Sequence, residues 1–256
     1  MIMATIAELV AQLDDSDPIR VSQARRLLLT AAERVSDPAE LSERNALAGE
    51  LTSELAATAA APGARVTNVP DGEPLPPVPK YSAFARRFVC QLLNRVAGDP
   101  QVLDLAPLLA DLEIRDSVRC VLESIPTQVS TTALIQGLRG AGPEFHVGVL
   151  NALGRQRWSD ALAALKLAAE NPDSEVRMAA LDGLANFPEV TNDKWIVAAT
   201  RTGTPRERSR AEAARVRLAE TLYWFGETES AAAIYQSIAA DSPAGPWKRA
   251  AHPPAG

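Results

Sequence analysis

Four segments of the chain align on one another without gaps: RFVCQLLNRVA (87–97), SVRCVLESIP (117–126), FHVGVLNALG (145–154) and VRMAALDGLA (176–185). Leu93, Leu122, Leu150 and Leu181 form one column, and Val96, Ile125, Leu153 and Leu184 form another. Between them runs a polar column of Asn94, Glu123, Asn151 and Asp182. Successive copies are offset by 29, 28 and 31 residues. Each interval also holds a second amphipathic stretch: QVLDLAPLLADL, TTALIQGLR or DALAALKLAAE. A period of about 30 residues made of two antiparallel helices is the mark of an α-solenoid.

The make-up of the repeated helix agrees. VRMAALDGLA is apolar around most of its circumference, more than a surface helix needs. A helix that packs on its own partner and on its counterparts before and after it needs that wide arc. Close stacking also favours small residues. Cys120 and Ser124, Gly148 and Ala152, and Ala179 and Gly183 lie four apart in successive copies and are expected at the contacts. The first copy carries Gln91 and Arg95 there and is expected to be exposed, or covered by something different.

Helix starts are legible elsewhere too. Asp17-Pro18, Asp37-Pro38 and Asp99-Pro100 each place an N-cap carboxylate before a proline that has no amide hydrogen to leave unpaired. Thr204 and Glu207 form a capping box. About thirteen helices are expected and no strand. Alanine and leucine are plentiful and aromatics make up only 5% of the 256 residues, which favours the same outcome.

The chain divides into a helical segment over 1–60, a loop over 61–80, repeats over 81–200, a helix pair over 201–243 and a tail over 244–256. The loop is assigned because it holds six prolines. The tail includes Trp247 and His252.

DSVRCVLESIP, HVGVLNALGRQ and DSEVRMAALDGLANF resemble HEAT repeats of the armadillo-like, bacterial kind. RLAETLYWFGETESAAAIYQSIAADSP is similar to a tetratricopeptide hairpin. There Leu218, Ala219, Gly226, Ala231, Tyr235 and Pro243 match the motif, while Arg215 and Ile238 depart from it. The resemblance implies an all-α, right-handed α-solenoid of antiparallel helix pairs. It also implies a binding surface, because HEAT proteins are mostly scaffolds.

The chemistry is sparse. With two histidines, His146 and His252, no pair stands at metal-ligand spacing, and the His-Glu pairs of iron-binding HEAT hydroxylases are missing. GLRGAG (137–142) has neither the strand nor the lysine of a phosphate loop and is a helix end. No catalytic residue, metal site or cofactor is assigned. Cys90 and Cys120 are expected to be buried structural thiols, and two cysteines suit a reducing compartment. Trp158 and Trp224 are expected to cap the core.

Lys and Arg number 26 against 32 Asp and Glu, a net charge of −6 that opposes nucleic acid. A local excess does occur at Arg201, Arg206, Arg208, Arg210, Arg215 and Arg217. The start carries no secretory signal, and no apolar run reaches the length of a membrane span. The expectation is a cytoplasmic, non-catalytic adaptor that binds a protein partner along Asn94, Glu123, Asn151 and Asp182. Two alternatives stand beside it: a lyase-like subunit that handles a cofactor, and a nucleic-acid binder that uses the arginines.

Overall fold

The computed structural model describes residues 4–58 and 78–241. The expected loop over 61–80 lies almost wholly outside the described residues, as do the tail, Pro243, Trp247 and His252. All-α architecture is observed: thirteen α-helices and no β-strand among the described residues. The contacts divide the chain into two units, Met1–Ile125 and Pro126–Gly256.

The first unit holds α1 (Ile6–Gln12), α2 (Pro18–Arg34), α3 (Leu41–Ala56), α4 (Ala83–Val96), α5 (Asp99–Leu105) and α6 (Arg115–Ser124). Each odd helix pairs with the even helix that follows it. In addition α1 packs on α3 and α3 on α5, while α2 packs on α4 and α4 on α6. The result is the two-row stack of an α-solenoid. A single antiparallel bridge joins Thr58 to Pro79, and the Lys80 amide donates to the Ala57 carbonyl at 2.9 Å.

The second unit holds α7 (Gln128–Gly137), α8 (Pro143–Gln156), α9 (Ala161–Ala168), α10 (Ser174–Leu184), α11 (Asp193–Thr202), α12 (Pro205–Trp224) and α13 (Thr228–Asp241). The second helices α8, α10 and α12 form one row, and α13 packs on α12. α10 touches α8, α9 and α12, three neighbours that account for the apolar arc of 176–185. Its Val176, Met178, Ala179, Ala180, Leu181, Gly183 and Leu184 are all buried.

The register holds: all eight residues of the two apolar columns are buried. Burying a leucine stabilises by about 1.5–3 kcal/mol, so each column anchors its layer. Asp17, Asp37 and Thr204 cap as expected, and Gln91 and Arg95 are exposed. Asp99 falls one place inside α5, where Gly98 is the N-cap.

The small-residue contacts need correction. Cys120 and Ser124 are exposed, because Val118, Val121 and Leu122 form the buried stripe of α6 and leave position 120 outside. The close approach in the second unit is Gly154 on Gly183. A Cβ on Gly154 would lie 2.6 Å from Gly183 Cα, and one on Gly183 would lie 2.7 Å from Leu165 Cδ2.

Side chains stitch successive layers of this unit. Trp158 Nε1 donates to Pro126 O at 3.1 Å, Asn186 Nδ2 to Gly154 O at 3.2 Å, and Thr221 Oγ1 to Ala185 O at 2.9 Å. In the last pair Leu218, Ala219, Ala231, Tyr235 and Ile238 are buried, and Gly226 turns the chain at φ 90°. Trp224 does not cap the core but is 70% exposed, since Leu218, Ala219 and Leu222 define the inner stripe. Trp158 is 38% exposed.

Candidate functional site

The second helices of the second unit carry a lattice of charges. Asp182, half-buried on α10, accepts from Arg210 Nη2 at 2.9 Å and from Arg217 Nη1 at 3.2 Å. Glu175, in the first turn of α10, meets Arg210 at 2.9 Å and Arg206 at 3.2 Å. The spacing of α12 explains the set, because Arg206, Arg210 and Arg217 share the side that faces α10.

The other arginines point elsewhere. Arg208 donates to the carbonyl of Gly203, the residue before its helix's N-cap, at 2.7 Å. Arg215 is buried between α11 and α13, where it donates to Asp193 at 2.7 and 3.1 Å, to Asp241 at 3.2 Å and to Ser237 Oγ at 2.9 Å. Arg201 is exposed in the last turn of α11.

The polar column is thus brought against the arginine cluster at Asp182. Asn151 is half-buried on α8. In the first unit Asn94 is exposed on α4, and Glu123 on α6 accepts from Arg119 Nη1 at 2.7 Å.

Two grooves lie in the same unit, and none of the lattice residues lines either. The larger, about 690 Å³, is floored by Met178 and Leu181 of α10 and walled by Trp195 and Ala199 of α11. At its end the buried Glu207 accepts from the Thr204 amide at 2.8 Å, from Ser174 Oγ at 2.8 Å and from Arg177. These donors, the Thr204 amide first, hold its carboxyl down at about 2. Lys194 rests its Nζ 5.4 Å from the Trp195 ring centroid. The smaller groove, about 460 Å³, is lined by Leu138, His146, Leu150 and Leu167. His146 Nε2 bonds to the Leu138 carbonyl at 2.9 Å. Sequence reasoning did not place Arg177, Lys194 or Trp195 at a groove and met Glu207 only as a capping residue; the 31-residue register relates Arg177 to His146 and Lys194 to Ala163 but does not show that the space between the helices stays open.

The two thiols differ. Cys90 is buried in α4, and burial pushes its thiol up to about 12. Cys120 is exposed, contrary to expectation, with Arg119 Nη2 3.1 Å from its Sγ. Among the described residues no group of three or more His, Cys, Asp or Glu could hold a metal ion, and no helix is long and apolar enough to cross a membrane.

No family model matches the chain, and no curated protein matches it. Among solved structures it is similar to the complex of CpcE and CpcF of phycocyanin lyase from Nostoc sp. PCC7120. That match has 18% identity and a TM-score of 0.45, covering 98% of this chain and 93% of that one. It is also similar to two engineered proteins. One has 19% identity and a TM-score of 0.43 over 84% of this chain and 97% of that one. The other has 16% identity and a TM-score of 0.45 over 97% of this chain and 67% of that one.

Proposed function

We propose that the protein is a non-catalytic adaptor of the cytoplasm that holds a protein partner on the polar face of its second helices. The observation that carries this reading is the lattice of Glu175 and Asp182 against Arg206, Arg210 and Arg217. Charges fixed by ion pairs across two layers need less ordering on association, and preorganisation of this kind strengthens binding. The same lattice weighs against nucleic acid, since these arginines already face carboxylates and a phosphate would have to displace them.

The test is capture from native lysate by two baits, the wild type and a variant with Asn94→Lys, Glu123→Lys, Asn151→Lys and Asp182→Lys. Circular dichroism checks that both fold. A specific protein held by the wild type and lost by the variant is expected. Equal capture moves the partner off this column, and capture of nothing removes the reading.

A cofactor-handling role has one observation on its side, the exposed Cys120 beside Arg119. It requires a visible absorbance band after a bilin is supplied, abolished by Cys120→Ser. A colourless protein ends it.

A further inference from the structure

The two grooves of the second unit occupy the same place in successive repeats. Leu150 floors the smaller and Leu181 the larger, 31 residues apart. The same step carries His146 onto Arg177 and Leu138 onto Ala169, each lining its own groove. It also carries Leu167 onto Ala198 and Asn171 onto Thr202. The grooves therefore belong to the repeat: they form where one first helix does not close over the next, leaving the second helix as an apolar floor. α9 is the ridge between them, and its Leu167 is 75% exposed.

Charge is disposed across this track. Arg139 of the smaller groove, on the α7 side, and Lys194 of the larger, on α11, have no ion-pair partner among the described residues. The carboxylates stand at the ends of α9: Asp160, which accepts from Gln128 Nε2 at 2.7 Å, and the exposed Glu170. Glu207 is engaged by Arg177. By the same register Arg139 stands past the carboxyl end of α7, as Glu170 does for α9, whereas Lys194 stands at the amino end of α11. A segment crossing diagonally from α7 over Leu167 to α11 thus meets a cation, an exposed leucine between two grooves, and a second cation.

Spacing narrows the occupant further. The floor helices α8 and α10 pack on each other, and packed helices lie about 8–10 Å apart, so the two groove floors do too. A polyproline II segment rises about 3.1 Å per residue with three residues per turn, which puts side chains i and i+3 on one face about 9 Å apart. We propose that the two grooves and the Leu167 ridge dock an acidic polyproline II segment of a partner protein. Its apolar side chains at i and i+3 enter the grooves, and its flanking carboxylates meet Arg139 and Lys194. This rests on the adaptor reading for the existence of a protein partner, but it uses a different face of the molecule.

The probe is a fluorescein-labelled peptide, Asp-Glu-Leu-Pro-Pro-Leu-Glu-Asp, compared by anisotropy with Lys-Lys-Leu-Pro-Pro-Leu-Lys-Lys. The targets are the full chain, its Leu167→Asp variant, and the double variant Arg139→Glu with Lys194→Glu. All three positions are exposed, and circular dichroism checks folding. The wild type is expected to prefer the acidic peptide about tenfold, which is 1.4 kcal/mol. Leu167→Asp should weaken it several-fold, and the double variant should invert the preference.

Equal binding of both peptides by the wild type overturns the proposal, as does acidic-peptide binding that neither variant weakens. A wild-type dimer in sedimentation that Leu167→Asp disperses gives the face to a second copy and also overturns it. A lysate partner held equally by the wild type and by Leu167→Asp removes the grooves while leaving the adaptor reading intact.

Discussion

Cys90 and Cys120 occupy neighbouring helices of one stack, yet their chemistry is opposite. A thiol held near 12 carries almost no thiolate at neutral pH, and the buried sulfur is shielded from reagents as well. A thiol-titrating disulfide reagent should therefore find one reactive cysteine in the native protein, Cys120, and two after denaturation; two fast thiols in the native state would contradict the burial of Cys90. Glu207 makes a second prediction at this scale. Its carboxyl sits at about 2 in the fold against an ordinary 4.5, so folding favours its ionised form. That contribution is complete above about pH 4.5 and lost as pH falls toward 2. Glu207→Gln should lower the urea midpoint at neutral pH but change it much less near pH 2, where the wild type has lost the same contribution. Equal loss at both pH values would assign the effect to packing instead.

At the scale of the helix, the crossing of α8 and α10 is decided by two glycines. Gly154→Ala would press a methyl group onto the backbone of Gly183, and overpacking of this kind costs about 1–3 kcal/mol. Gly49 is the control: it lies inside α3 with nothing within 4 Å of an added Cβ. Gly49→Ala should stabilise by about 0.5–1 kcal/mol, since alanine loses less backbone entropy in a helix. Chemical denaturation of the two variants should move in opposite directions. The columns of Leu and Val/Ile/Leu were legible in sequence because helical periodicity alone decides which side of a helix is apolar. The Gly154–Gly183 contact was not, because it depends on where two helices cross. For the same reason Asp182 read as an open rung of a ladder, although Arg210 and Arg217 reach it from the next layer. Trp224 misled in another way: an aromatic near a helix end suggests a cap, but its angular position relative to Leu218 and Leu222 decides its exposure.

Across the whole molecule, stability in a stack of layers is a sum of local and nearest-neighbour terms, so interior layers are the best protected. In the second unit α10 has packed helices on both sides of its row, whereas α13 is the last described helix. Amide hydrogen exchange followed by mass spectrometry should show slower exchange over 176–184 than over 231–240; the reverse order would mean that the terminal pair, with its Arg215 cluster, holds the unit together. All-α class, helix number and most caps could be read in advance, because capping chemistry and periodicity are local. The charge lattice and the paired grooves could not, since both arise between residues about one repeat apart.

The stitches that end on backbone carbonyls in the second unit have a direction. Trp158, Asn186 and Thr221 each donate to a backbone carbonyl that precedes them by about one layer. As the chain emerges from the ribosome, the carbonyls at the end of each second helix wait for a donor that has not yet been made. Each new layer thus supplies a hydrogen-bond donor to the backbone of the one before it.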